Sequence, residues 1–154
     1  MSDRSGYLYR ICFSGTTVYL VDVTISLMNY SQTVQLVSAW GPAAFVMALI
    51  FFVSGLSSPP TPSAVPDVGL HAGAYAVLGA SFLRGLAGAR WNEVTFRNVF
   101  WAVVLAVGYG VTDEWHQSFI PGRTPELRDL LADAVGSAFG TSVVWLWGIV
   151  FIKR

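Results

Sequence analysis

An uncharged and strongly apolar run, AWGPAAFVMALIFFVSGL, occupies residues 39–56. Its length is close to the roughly 20 residues that a helix needs to cross a bilayer. The whole chain is also unusually apolar, with 54% hydrophobic and 12% charged residues, whereas about a quarter of the residues in a typical soluble domain are charged. We therefore expect an integral membrane protein.

Three further long helices are predicted after this run. A proline-rich loop, SSPPTPSAVP, ends the first helix because proline removes backbone hydrogen bonds from a helix interior. Thr124 is placed to cap the last helix, with Pro125 at its first position. The four predicted helices cover residues 39–56, 67–86, 97–119 and 125–151. Their short connections favour an all-α antiparallel bundle of about four transmembrane helices within residues 39–154.

Residues 1–38 show a different pattern. The stretch TVYLVDVTISL alternates apolar and polar residues, and Asp22 interrupts any membrane-spanning segment. We expect residues 1–38 to be either loosely ordered or placed on the membrane surface.

Charge is distributed unequally between the two sides of this four-helix arrangement. Seven of the nine basic residues fall on the side that carries both termini, and the other side has only Arg123 and Arg128. The positive-inside rule therefore places both termini in the cytoplasm of a multi-pass cell-membrane protein. The basic residues form no continuous stripe, which argues against nucleic acid as a partner.

Most of the acidic residues fall on the opposite, extracytoplasmic side: Asp67, Asp113, Glu114, Glu126, Asp129 and Asp133. The helical stretch from Arg97 to Asp113 is only about 24 Å long, whereas the hydrocarbon core of a bilayer is about 30 Å thick. Asp113 is therefore expected below the outer headgroups, where an ionisable group needs a partner or a hydrated cavity. This depth predicts an extracytoplasmic polar pocket.

Helical spacing brings several polar side chains onto shared faces. Asp67, His71 and Tyr75 recur every four residues and form one stripe. In the sequence DEWHQ, Asp113, His116 and Gln117 share one face with Glu114 at its edge, whereas Trp115 points the opposite way. On the last helix, Asp129 and Asp133 stack one turn apart, and Gly136 and Gly140 continue their face and would allow a close helix contact.

Asp113 and Glu114 lie near the C-terminal end of their helix, where the helix dipole disfavours a negative charge. Something else must therefore hold them. The candidate partners are Arg123, a protonated His71 or His116, and a bound cation.

The segment DEWHQSFIPGRTPELRDLLADAVG, residues 113–136, resembles the signature of the VanZ-like family, and Asp67, His71 and Tyr75 resemble its upstream D-K-x-x-H-x-x-x-Y element. The resemblance covers roughly residues 40–150, with no clear counterpart for residues 1–38. It departs at Val68, where the family usually has Lys, and at Asp133, where Asn is common. The resemblance implies a small polytopic membrane protein, whose namesake lowers sensitivity to the glycopeptide antibiotic teicoplanin.

The first functional hypothesis is that the pocket binds or modifies an amphiphilic cell-envelope molecule. Glu114, His71 and Asp113 are the candidate catalytic residues, with Glu114 and His71 as acid and base. The candidate substrate-binding residues are Arg123, Gln117, Asp67, Tyr75 and His116. No cofactor is expected, but a variant of this hypothesis places Mg²⁺ or Ca²⁺ on the oxygen atoms of Asp113, Glu114, Asp129 and Asp133.

Two other classes of function stay open. The polar face could carry protons, ions or a small solute across the membrane. Alternatively, the polar residues could fix a scaffold whose function lies in a partner, and the oligomeric state is left open.

Overall fold

The computed structural model describes residues 17–58 and 66–152, and it describes side chains from residue 30 to residue 151 within these ranges. These residues form helices and no strand. The elements are α1 (Thr17–Ser54), α2 (Asp67–Leu86), a 3-10 turn (Trp91–Glu93), α3 (Phe96–Gln117), α4 (Leu127–Trp147) and a π-helical turn (Gly148–Ile152). The predicted all-α class is confirmed.

Residue contacts divide the chain into two compact units, residues 1–34 and residues 35–154. The described part of the first unit is the beginning of α1. Helix packing is described below for the second unit, which contains the rest of α1 and the other helices. The predicted division between residues 38 and 39 stays a prediction.

The predicted bounds of the helices hold to different degrees. The second predicted helix coincides with α2, but α1 begins at Thr17. No proline precedes Pro42 in this helix, and the two alternatives for residues 1–38 stay predictions. Residues 1–16 and most of the proline-rich loop, residues 59–65, lie outside the described residues.

The start of α4 also differs from the prediction. Its N-cap is Glu126 instead of Thr124, and no side chain of the capping residue satisfies the free backbone N–H groups. Pro125 therefore precedes the helix. The carboxylate of Glu114 on α3 accepts the Glu126 N–H instead, at 2.9 Å.

Contacts at both ends of the helices show that consecutive helices run in opposite directions. At one end, here called the polar end, Ser54 contacts Asp113 and His71 contacts Asp133. At the other end, here called the aromatic end, the side chains in contact include Trp91 with Trp147, Phe96 with Trp145, and Trp40 with Phe82. The predicted antiparallel arrangement is therefore seen in the second unit.

The backbones of α2 and α4 approach each other closely at two glycines. A Cβ atom added at Gly136 would lie 2.1 Å from the carbonyl oxygen of Ala72, and one at Gly140 would lie 2.2 Å from that of Ala76. Such distances are far below a van der Waals contact, so only glycine fits at these two positions. The close contact predicted beneath the acids is confirmed.

The described surface is far more apolar than that of a soluble domain, and the interior contains both an apolar core and buried polar groups. Large apolar side chains face outward, among them Phe45, Phe52, Val135 and Phe139 at about 70% exposure, while several acids are buried. Two helical segments are long and apolar enough to cross a membrane, Tyr30–Ser54 and Leu127–Phe151. Exposed apolar helix faces around buried polar groups are typical of a protein with lipid as its solvent. That all four helices span the membrane stays a prediction.

We predict that Gly136→Ala lowers the free energy of unfolding by about 1–3 kcal/mol, because the added methyl group would force α2 and α4 apart. Thermal unfolding in detergent measures the change. The matched control is Gly73→Ala on α2, where an added Cβ meets nothing within 4 Å. Equal melting temperatures for the two variants would contradict the prediction.

Candidate functional site

A cavity of about 380 Å³ lies at the polar end, between α1, α2 and α3. Its apolar lining comes from α1 and α2: Val46, Leu49, Ile50, Val53, Leu70, Ala74 and Val77. Its polar lining comes from α1, α2, α3 and the loop before α4: Ser54, Asp67, His71, Tyr75, Asp113, Gln117 and Arg123. The cavity is therefore amphipathic, with most of its polar groups contributed by residues that the sequence predicted as site residues.

Asp113 is held by two neutral donors. Its Oδ1 accepts a hydrogen bond from Ser54 Oγ at 2.6 Å, and its Oδ2 accepts one from Gln117 Nε2 at 3.1 Å. Its side chain is only 4% exposed. A buried carboxylate with both oxygens bonded avoids much of the cost of desolvation. Among the described residues, none of the predicted cationic partners makes this contact.

His71 pairs with Asp133 across the α2–α4 contact. The His71 Nδ1 atom lies 3.0 Å from Asp133 Oδ1. Asp133 is 1% exposed, and its Oδ2 has no hydrogen-bond partner among the described residues. A Cβ atom added at Gly110 of α3 would lie 2.8 Å from this Oδ2 atom. The absence of a side chain at Gly110 therefore makes room for the carboxylate.

Tyr75 follows His71 along the predicted stripe of α2. The two rings are almost parallel, with an interplanar angle of 10° and centroids 6.5 Å apart. The Tyr75 hydroxyl is buried and has no hydrogen-bond partner among the described residues. Tyr75 also lines the cavity, so its unpartnered hydroxyl is a candidate donor for a polar group bound there.

The sequence predicted Glu114 as a pocket residue, but its carboxylate lies at the start of α4. Its Oε2 accepts the N–H of Glu126, the N-cap of α4, and the residue does not line the cavity. A carboxylate beside the positive N-terminal end of a helix is favoured by the helix dipole. The acid that α3 alone disfavours is thus stabilised by α4.

His116 also lies away from the cavity. Its ring stacks on Phe51 of α1, with centroids 4.2 Å apart, and its Nδ1 atom is buried without a hydrogen-bond partner among the described residues. Trp115 is 69% exposed, as its angular position on the helix predicts. His116 therefore packs against the end of α1.

Arg123 joins the loop before α4 to the end of α1. Its Nε donates to the carbonyl oxygen of Leu56 at 3.2 Å. No carboxylate lies within ion-pair distance of its guanidinium among the described residues. Arg123 thus brings a positive charge to the cavity that no described acid neutralises.

The residues that could together ligate a metal ion in the structure differ from the predicted set. Ligand atoms of Asp67, His71 and Asp129 all lie within 4.8 Å of one another. The predicted set was Asp113, Glu114, Asp129 and Asp133. In the structure Asp113 and Glu114 accept protein hydrogen bonds instead, so Asp129 is the one member common to both sets.

The cavity thus brings together Asp67, His71, Tyr75, Asp113, Gln117 and Arg123, and leaves Glu114 and His116 outside. Sequence reasoning missed Ser54, because a lone serine within an apolar run has no motif to mark it. The catalytic and binding roles assigned to these residues stay predictions.

A protein-family model described as VanZ/LLP1 matches residues 9–148. This match confirms the family resemblance of residues 67–75 and 113–136. It also begins well before residue 40, so it includes most of the N-terminal segment for which the motifs showed no counterpart. The chain has no match among curated proteins or among solved structures.

We predict that Ser54→Ala lowers the free energy of unfolding by about 1–3 kcal/mol, because Asp113 Oδ1 would lose its hydrogen-bond donor in a buried site. Chemical or thermal unfolding in detergent measures this change. Ser118→Ala is the control, since the Ser118 hydroxyl is exposed and donates only to the nearby carbonyl of Trp115. A Ser54 variant as stable as the Ser118 variant would show that this bond contributes little.

Proposed function

Because the chain belongs to the VanZ/LLP1 family, we propose that it is a multi-pass membrane protein that binds an amphiphilic cell-envelope molecule in the polar-end cavity. The observation that carries this proposal is the division of the cavity lining. Apolar side chains of α1 and α2 form one part, and Asp113, Gln117 and Arg123 lie in the other. A ligand with a hydrocarbon tail and a polar head matches both parts.

The apolar part of the cavity supports entry from the lipid phase. Leu49 on α1 and Val77 on α2 both line the cavity, and they are 51% and 56% exposed. At the aromatic end, Trp40 packs against α2 at Gly85, where an added Cβ would lie 2.8 Å from its ring. The two helices therefore touch at that end, and the cavity lies between them toward the other end. A hydrocarbon chain can enter this space without crossing water.

Arg123 supports an acidic headgroup. A guanidinium carries several donors in a planar fork that matches phosphate or carboxylate. Since its Nε is bonded to Leu56, the terminal nitrogens remain for a ligand. Asp113 has both oxygens occupied by protein donors, so it offers a ligand no free lone-pair site comparable to the guanidinium of Arg123. The headgroup is therefore placed on Arg123, with hydroxyl or amine groups toward Asp67 and Tyr75.

The distribution of charges supports the proposed orientation, with the polar end extracytoplasmic and both termini cytoplasmic. Arg84 and Arg97 lie at the aromatic end, opposite the cavity. The remaining basic residues assigned to the cytoplasmic side include Arg4, Arg10, Lys153 and Arg154, which lie outside the described residues. A binding protein at this position could change how much of its ligand is accessible outside the cell, which is how we connect it to glycopeptide sensitivity.

Binding is favoured over catalysis by the position of the proposed acid. Glu114 contacts the start of α4 and does not line the cavity. Transport along a polar face has less support within the described residues. Ser137 and Thr141 are buried farther along α4, but their hydroxyls donate to carbonyls of their own helix. Catalysis and transport therefore remain secondary proposals.

We predict that Arg123→Gln weakens binding of a fluorescent short-chain polyprenyl phosphate at least tenfold, because the headgroup loses its cationic partner. Fluorescence anisotropy with the protein in detergent micelles measures the affinity. Arg97→Gln is the matched control, since Arg97 is exposed at the opposite end of α3. Both variants must elute from gel filtration as the wild type does.

Equal affinity of the two arginine variants would contradict the proposed headgroup position. A structural role of the polar residues makes a different prediction, which is that Asp113→Asn and Arg123→Gln unfold the protein. Melting curves of the same samples distinguish a binding role of these residues from a purely structural one. If the wild-type protein carries protons or ions across liposome membranes and the Asp113→Asn variant does not, transport is favoured instead.

A further inference from the structure

Three side chains from two helices meet at the edge of the cavity. Asp67 lies in the first turn of α2, His71 one turn later, and Asp129 in the first turn of α4. Each offers one ligand atom, and these atoms lie within 4.8 Å of one another. Ligands of one metal ion at coordination distances of about 2.0–2.2 Å are separated by no more than about twice that distance. Small adjustments of the side chains would therefore bring all three to a common ion.

His71 is already oriented for a metal by its contact with Asp133. When His71 is neutral and Asp133 is a carboxylate, the 3.0 Å contact is a hydrogen bond from Nδ1–H to Oδ1. That tautomer leaves a lone pair on Nε2, which is the state in which a neutral imidazole binds a metal. Carboxylates in this position commonly orient metal-binding histidines and increase their basicity.

The charges around His71 supply a second, independent reason for a cation. Asp133 is 1% exposed, and its Oδ2 lacks any hydrogen-bond partner among the described residues. The described residues also show no arginine or lysine within ion-pair distance of Asp67, Asp129 or Asp133. Three carboxylates thus surround one histidine, which can carry at most one positive charge. A divalent ion would compensate this charge.

We propose that Asp67, His71 and Asp129 bind one divalent transition-metal ion of the Zn²⁺ class, with Asp133 as the positioning residue for His71. One imidazole nitrogen and two carboxylate oxygens suit Zn²⁺, whereas Mg²⁺ and Ca²⁺ prefer oxygen ligands alone. Asp67 is exposed, so the ion has an open side for water or an anionic group. This site goes beyond the proposed binding of an amphiphile and does not depend on it.

Titration with Zn²⁺ alone tests the site. The full chain is purified in detergent through a tag without histidine, treated with a chelator and titrated by calorimetry, and the bound metal is counted by mass spectrometry. The expected result is one Zn²⁺ per chain, bound at least tenfold more tightly than Mg²⁺ or Ca²⁺. Asp67→Asn should lower the Zn²⁺ affinity at least tenfold. Because Asp67 is exposed, this variant is expected to fold as the wild type does.

Two further variants separate ligand positioning from general loss of charge. Asp133→Asn should lower the Zn²⁺ affinity about 10–100-fold, because it changes the group that orients His71. Glu126→Gln removes an exposed acid next to the start of α4 that does not belong to the ligand group, and its affinity should equal that of the wild type. No stoichiometric Zn²⁺ binding, or an equal loss of affinity in Asp67→Asn and Glu126→Gln, overturns the proposal whether or not amphiphiles bind.

Discussion

The close backbone contact between α2 and α4 is the constraint on which the polar end depends. Gly136 and Gly140 bring α4 against Ala72 and Ala76, and the next turn toward the polar end carries His71 and Asp133. At this separation His71 Nδ1 and Asp133 Oδ1 lie 3.0 Å apart. The glycines therefore set the helix spacing at which this pair forms, although they carry no polar group.

Two of the four buried acids, Asp113 and Glu114, are stabilised by neutral groups. Asp113 accepts bonds from a hydroxyl and an amide, and Glu114 accepts a backbone N–H at the start of the next helix. Neutral donors and a helix terminus can satisfy a carboxylate without adding a second buried charge that would itself need desolvation. Arg123 has no ion-pair partner among the described residues, and three acids lie around the one base His71; the two proposals rest on these charges.

The sequence predicted features that depend on one helix at a time. It predicted the bounds of α2, the outward position of Trp115, and the shared face of Asp67, His71 and Tyr75, since each follows from local composition or helical angle. It failed where the partner is distant in the chain or has no side-chain signal. Ser54 lies 59 residues from Asp113, and the N–H that binds Glu114 could belong to any residue except proline. The start of α4 was misplaced for the same reason, because a distant carboxylate replaces the local Thr124 cap.

Hydrogen bonds join α1 and the residues just after it to the rest of the second unit. Some of them accept any residue type on the α1 side, and others need a particular side chain there. Tyr109 donates to the carbonyl oxygen of Met47, and Arg123 donates to that of Leu56. Any residue offers such a carbonyl, so these two contacts place no restriction on side-chain identity. The contacts of Arg84 with Ser38 Oγ and of Asp113 with Ser54 Oγ do depend on side chains of α1. Apart from the two serines, the hydrogen bonds to this part of the chain therefore place few demands on its side chains, whereas the donors Tyr109 and Arg123 depend on residue type. We therefore expect residues 109–123 to identify distant relatives better than the apolar helix that first suggests a membrane.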